Sequence, residues 1–246
     1  MNSKDKIEYI VRWIKKYSEN ITKQPVCLVI GVSGGVDSSL TSTLCAKTGL
    51  KTIALSMPLK QNKLQHNLSL RHLQWLEKKY SNVRTKIINL DNLFESFENT
   101  LIEFKNDLAF ANSRSRLRMV TLYQVAQSNN GIVVGTGNKV EDFGVGFFTK
   151  YGDGGVDISP IADCSKSEVW EMSKSLSIIN DIIEAEPTDG LWDDSRNDEN
   201  QLGLTYKQLE DAMFNKKSKY YKKYLEIRKP NLHKMKPIPV CVIPKK

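Results

Sequence analysis

The sequence predicts an α/β protein: an open parallel sheet with helices on both faces. Short apolar, β-branched runs recur at residues 26–32, 52–57, 85–90 and 132–135. Helical stretches near 67–80 and 92–104 separate them, and the first run feeds directly into a glycine turn that opens another helix. Continuous apolar strands belong to parallel sheets covered on both faces, and alternation of strand and helix gives right-handed βαβ units.

In chain order, Ile7, Ile10, Val11 and Ile14 mark an amphipathic N-terminal segment that lacks the apolar core of a signal peptide. The strand at 26–32 ends in Ser33, Gly34 and Gly35, and a helix follows over 38–47, stopping before Gly49. A helix over 113–127 carries Arg114, Arg116 and Arg118. Spacing puts Arg114 and Arg118 on one face and Arg116 on another, with the usual fate of such residues being solvation or a salt bridge. The run 132–135 ends at Gly135-Thr136, where residues just past a strand line the ligand crevice of an open sheet. Another helix spans 165–176, beginning with Ser165 and Lys166. Two long polar segments, 58–66 and 187–204, are candidates for lids or plain surface loops; the second carries Asp189, Asp193, Asp194, Asp198 and Glu199.

The turn after the first strand makes an anion site. Glycines let the backbone approach a phosphate closely, so that successive N–H groups and the positive end of the new helix can point at it. The residues Gly31, Val32, Ser33, Gly34, Gly35, Val36, Asp37 and Ser38 lack the spacing and lysine of a Walker A loop. An acid, Asp37, stands there instead. A carboxylate beside a polyphosphate calls for a cation between them, so Asp37 reads as a Mg²⁺ ligand, while the hydroxyls of Ser33, Ser38 and Ser39 can donate to phosphate oxygens. A simple helix-capping turn fits the six residues from Ser33 to Ser38 equally. Glu141, just beyond the fourth strand, reads either as a second carboxylate on that ion or as decoration of a surface turn.

Ser33-Gly-Gly-Val-Asp37-Ser38 resembles the SGGxDS pyrophosphate loop of the N-type ATP pyrophosphatases, and the residues from Gly135 to Pro160 resemble the GT(G/D)xxxE…G(F/Y)xTKYGDGGxDxxP signature of the NAD synthetases. Further matches in order are Ser115-Arg116-Leu-Arg118-Met119, Cys164-Ser-Lys166, Glu186-Pro-Thr188 and His233-Lys234. The resemblance implies a Rossmann-like, adenine nucleotide alpha hydrolase-like fold in a single synthetase domain over residues 1–246, without a glutamine amidase domain. It implies amidation of deamido-NAD by free ammonia. The nicotinate carboxylate attacks the α-phosphorus of ATP, pyrophosphate leaves, and ammonia converts the acyl-adenylate to NAD and AMP. It assigns the 31–38 loop, Thr136, Lys166 and Thr188 to ATP, and Asp37 and Glu141 to Mg²⁺. Arg116, Lys150, Asp157, His233 and Lys234 fall to deamido-NAD. Asp37 and Lys166 are the implied catalytic groups, with Asp153 a candidate for the ammonium proton. A homodimer is implied as well. Lys166, a cation opposing the helix dipole at a helix start, makes sense where phosphates offset it.

Composition fits a soluble, cytoplasmic enzyme. The chain is 40% hydrophobic and 26% charged over 246 residues, enough for a sizeable core, and no apolar run approaches the roughly 20 residues needed to span a membrane. Cys27, Cys45, Cys164 and Cys241 form no CxxC, and three histidines are too scattered for a metal cluster. The net charge of +8 concentrates near the carboxyl terminus, as a solvated helix face and tail would. A tRNA-modifying ATP pyrophosphatase would explain that charge and the loop together, but not the residues from Lys150 to Asp157; a non-enzymatic nucleotide sensor would leave the acids Asp37 and Glu141 without a purpose. Neither nucleic acid nor membrane is expected as a partner.

Overall fold

A computed structural model of the chain describes residues 1–21, 26–60, 63–188 and 197–244. Four strands, β1 (Cys27–Gly31), β2 (Thr52–Ser56), β3 (Val83–Ile87) and β4 (Gly131–Val133), form one parallel sheet in the order β3-β2-β1-β4. Leu28 pairs with Thr52 and with Ile132, which places β1 at the centre. Period-2 alternation then divides the strand side chains between two cores.

On one face Leu28, Ile30, Ala54 and Val83 meet α1 (Ser3–Ile21), α2 (Val36–Lys47), α3 (Lys63–Lys79) and α6 (Lys166–Ser175) through Ile10, Ile14, Leu40, Leu44, Leu73 and Met172. On the other, Cys27, Val29, Ile53 and Leu55 meet Phe94 of α4 (Asp91–Thr100) and Ala126 of α5 (Asp107–Gln127). A third apolar cluster lies apart from the sheet. It joins a π-helix over Lys139–Val145 to α8 (Asp198–Leu202), α9 (Tyr206–Phe214) and α10 (Tyr221–Arg228), around Val140, Val145, Leu209 and Tyr224. Short helices α7 (Asn180–Glu184) and α11 (Leu232–Met235) complete the order.

Several boundaries differ from the sequence expectation. Strand β3 starts at Val83 instead of residue 85, because as an edge strand it buries only Val83 and leaves little apolar pattern beyond it. Helix α5 starts at Asp107 instead of 113, where Asn106 accepts a hydrogen bond from the Ala109 amide at 2.9 Å. The helix expected over 92–104 breaks after Thr100 into a separate 3₁₀ turn, Ile102–Phe104. Residues 198–202 of the acidic segment are helical, with Asp198 buried; Asp189, Asp193 and Asp194 lie outside the described residues, as do Gln61 and Asn62 of the earlier loop. Three cysteines are buried and Cys241 is exposed, all four as free thiols. Among the described residues no helix is long and apolar enough to cross a membrane.

Candidate active site

Chain order reverses between β1 and β4, and a crevice forms beyond the carboxyl ends of the strands at such a point. Here it is a cavity of about 470 Å³, lined by the 31–38 turn, Thr136, Glu141, Asp153, Lys166 and Thr188. Gly34 makes the turn possible. Its φ is +95°, and a Cβ there would stand 2.4 Å from the Gln65 carbonyl oxygen and 2.9 Å from the Ser69 nitrogen of α3. Gly35 caps α2 without a side-chain hydrogen bond, so no capping side chain claims the leading amides of a twelve-residue helix at the cavity.

The serines serve the turn itself. The Ser33 amide donates to Ser38 Oγ at 3.1 Å, the Gly35 amide donates to Ser33 Oγ at 3.2 Å, and Ser38 Oγ donates to the Gly35 carbonyl at 3.0 Å. Ser39, expected as a phosphate donor, is fully buried and does not line the cavity: one residue further along α2, its side chain turns into the core.

Asp37 and Glu141 converge, although 104 residues apart in sequence. Asp37 rides on the first turn of α2, while Glu141 rides on the π-helix, whose start is fixed by Asn138. The Asn138 Oδ1 accepts from the Val140 and Glu141 amides at 3.0 and 3.1 Å, and its Nδ2 donates to Asp37 Oδ1 at 3.0 Å. One side chain thereby registers both acids.

The cation between them is Lys166. A capping box closed by Ser165 and Glu168 starts α6, and from its first residue the Lys166 Nζ donates to Asp37 Oδ2 at 2.6 Å and Glu141 Oε1 at 2.8 Å. Its side chain is 3% exposed. The sequence expectation had phosphates offsetting Lys166 at this helix start; in the structure the two carboxylates do so. Burial pushes the Asp37 carboxyl above its usual range despite Lys166. Burial opposes ionisation of Glu141 too, but the Lys166 charge, with hydrogen bonds from Lys166, Tyr206 and Asn138, outweighs it and holds Glu141 low. Burial works against the Lys166 charge as well; the two acids overcome it and raise the ammonium's pKa.

Tyr206 was not singled out in the sequence. Its hydroxyl donates to Glu141 Oε1 at 2.5 Å and lies 3.3 Å from Asp198 Oδ2, its ring sits 4.7 Å from the Lys166 Nζ, and Trp170 packs on its edge at 5.9 Å. Asp142 is another acid of the cavity that sequence reasoning passed over. Its carboxylate lies over Gly137, where a Cβ would come within 1.8 Å of Oδ2, and burial together with Asp153, Glu141 and Asp37 raises it well above the carboxylate range. Asp153 is anchored: its Oδ1 accepts from Ser115 Oγ at 2.7 Å and the Thr149 amide at 2.9 Å.

The residues implied for deamido-NAD do not line the cavity. Arg116 is exposed, its Nε donating to the Lys150 carbonyl at 3.4 Å. The Lys150 ammonium lies 5.3 Å from the Tyr151 ring centre. Asp157 accepts from the Val133 amide at 2.7 Å and the Tyr123 hydroxyl at 3.1 Å. His233 Nδ1 is 3.0 Å from the Pro230 carbonyl oxygen, and Lys234 Nζ donates to the Phe148 carbonyl at 2.7 Å. The arginine face is the reverse of the expected one. Arg114 is buried with its guanidinium 5.4 Å from the Phe94 ring, and Arg118 lines the cavity, donating to the Met57 carbonyl at 3.2 Å. Helix α5 lies against β1 and β4, which turns that face inward.

The donor set fits Mg²⁺. Hard carboxylate oxygens stand beside the capless start of α2, and Mg²⁺ is commonly held by one or two carboxylates plus phosphate oxygens. Among the described residues no group of three or more His, Cys, Asp or Glu side chains could hold a metal ion, so phosphates and water would have to complete its shell.

A model of the family described as NAD synthase matches residues 6–237. The NH3-dependent NAD+ synthetase of Finegoldia magna is 34% identical over 238 residues, covering 96% of this chain and 95% of that protein. Among solved structures, NMN synthetase from Francisella tularensis superposes with a TM-score of 0.90 at 31% identity, covering 99% of this chain and 100% of its own. An NH3-dependent NAD synthetase from Campylobacter jejuni gives 0.78 at 25% identity, with coverages of 98% and 100%. A match running from the first helix to beyond His233-Lys234, with relatives covered nearly end to end, carries one conclusion: the chain belongs to the NAD synthase family.

Proposed function

We propose that this chain amidates the nicotinate carboxylate of deamido-NAD with ammonia, consuming ATP and releasing AMP and pyrophosphate through an acyl-adenylate. The observation that carries this reading is the meeting of Asp37, Glu141 and Lys166 at the uncapped start of α2, in a chain of this family. The turn amides and the α2 N-terminus bind the β- and γ-phosphates, and Lys166 neutralises charge that builds on the departing pyrophosphate, a positional and electrostatic contribution. Asp37 and Glu141 hold Mg²⁺, which when bound neutralises phosphate charge. Thr136 and Thr188, both lining the cavity, orient the nucleotide. Arg116, Lys150, Asp157, His233 and Lys234 bind the acceptor nucleotide at the cavity's edge, and Asp153, in the cavity lining, takes the ammonium proton.

No side chain need become covalently attached. The same reading has one synthetase domain, free ammonia as the nitrogen source, a cytoplasmic location and a homodimer, for which exposed apolar side chains such as Leu108 and Val120 offer surface to be covered. Incubation with ATP, Mg²⁺, ammonium and deamido-NAD should yield NAD, AMP and pyrophosphate in equal amounts; ATP consumption without amide formation would overturn the assignment.

A second acceptor has a specific observation in its favour. The Francisella NMN synthetase superposes with the higher TM-score of the two solved structures and covers this chain almost completely. Adenylation of nicotinic acid mononucleotide is the same reaction on the same carboxylate, without the distal adenylate half. Comparison of kcat/KM for the two acids decides between them.

A further inference from the structure

We propose that Lys166 is the built-in counter-cation of the nucleotide-free site, clasping Asp37 and Glu141 and barring a divalent ion from them until a polyphosphate on the neighbouring turn draws its ammonium away. The inference deepens the ATP-dependent reading above and rests on it.

Four observations support it. The Lys166 Nζ donates to a carboxylate oxygen of each acid, at 2.6 and 2.8 Å, and so stands where an ion shared by the pair would have to sit. Its side chain is 3% exposed, against 17% for Asp37 and 15% for Glu141, so the acids reach the cavity from either side while the ammonium closes the gap between them. Neighbouring groups already direct the acids: Asp37 Oδ1, the oxygen not bound to Lys166, takes the Asn138 amide, and Glu141 Oε1 takes the Tyr206 hydroxyl alongside the Lys166 ammonium. Finally, Lys166 lines the same cavity as Gly34 and Gly35, where phosphate oxygens would stand.

Two cations cannot share this gap. A divalent ion placed between the acids would lie beside an ammonium with little water to screen their repulsion, so it is favoured only after that ammonium has found another anion. A polyphosphate supplies one within the cavity. Metal and nucleotide then assist each other's binding, and by linkage the coupling is reciprocal. Lys166 changes partners without changing charge. Nothing covalent is needed, and an enzyme lacking nucleotide keeps its two acids together.

The test uses Mn²⁺ as the probe, with the unbound ion followed by electron paramagnetic resonance. Without nucleotide, Lys166→Met should bind one Mn²⁺ at least tenfold more tightly than the wild type, and Lys166→Arg, which keeps the cation, should not. Adding Asp37→Asn to Lys166→Met should abolish the gain, assigning it to the acid pair. Equal affinity in wild type and Lys166→Met would overturn the proposal. Should Lys166→Met fail to fold, the wild type carries the test through the ¹⁵Nζ resonance of Lys166, assigned by its loss in Lys166→Arg. That signal should shift on adding a non-hydrolysable ATP analogue and stay put with millimolar Mg²⁺ alone; a shift with Mg²⁺ alone would overturn the proposal. Calorimetry with the same analogue tests the nucleotide reading separately. No analogue binding would sink that reading and the release step, whereas a Mn²⁺ gain in Lys166→Met would still uphold the blocking role.

Discussion

Asn138 divides one amide between two segments, registering Glu141 through its oxygen and Asp37 through its nitrogen. Such a residue is hard to read in advance. Asp37 was legible because its turn, glycines and helix start are contiguous, and Glu141 because it follows a strand end. Tyr206 was not, since it reaches Glu141 across 65 residues and looks in sequence like any core aromatic. Asp37→Ala should abolish acyl-adenylate formation in a single turnover with the fold retained; normal adenylate yield would remove its role. Tyr206→Phe keeps the ring packed on Trp170 and deletes one hydrogen bond to a charged acceptor, an interaction worth about 1.5–3 kcal/mol. If Glu141 is thereby loosened, kcat should fall about tenfold or more and the Mg²⁺ needed for half-maximal rate should rise, alongside a fall in melting temperature of several degrees. A variant that lost stability but kept its Mg²⁺ requirement would make Tyr206 a packing residue.

At the scale of elements, the strands were legible because three of them are mostly apolar and buried along nearly their whole length, whereas β3, at the edge, buries only Val83. The π-helix was not foreseen: its signal is an Asn cap followed by Lys-Val-Glu, which reads equally well as a turn. Its extra residue per turn leaves carbonyls to be satisfied from elsewhere, and α10 with the 3₁₀ turn after it (Lys229–Asn231) does so. The Arg228 guanidinium donates to the Phe143 and Gly144 carbonyls, Tyr224 OH donates to the Gly144 carbonyl at 3.2 Å, and Asn231 Nδ2 to that of Val145 at 3.0 Å. A π-bulge at a functional position is a recurrent pattern. Arg228→Ala should lower kcat by about tenfold through Glu141 while nucleotide affinity, set largely by the turn and α2, changes less; equal loss of both would argue for general unfolding. Gly34→Ala strains a positive φ and drives a methyl against the α3 backbone. A cost of about 2 kcal/mol corresponds to a fall in melting temperature of about 4–8 °C in a protein this size, and ATP binding should fall with it; an unchanged melting temperature would count against the strain.

The whole molecule adds one titration to its acid limb. His72 is fully buried between α2 and α3, its Nε2 3.0 Å from Ser42 Oγ, and burial lowers its pKa from 6.5 to about 4. The unfolded chain therefore binds a proton that the folded chain refuses between those values, and stability falls as pH drops from 6.5 toward 4, by up to about 3 kcal/mol. His72→Gln should flatten that part of the melting profile; an identical slope would show that His72 does not govern it. The sheet's two cores were legible in outline from the alternating pattern, but the third cluster was not, because it unites residues 140–145 with 202–224 through contacts no local period announces.

That third cluster has an operational consequence. Asp37 rides on α2, which packs on the sheet, and Glu141 belongs to a small satellite of short helices with its own modest apolar interior, the kind of unit that opens locally before the rest gives way. On slow heating, turnover should therefore fade several degrees before far-ultraviolet dichroism reports any loss of the sheet, and return on cooling: an enzyme that goes quiet while most of it is still standing.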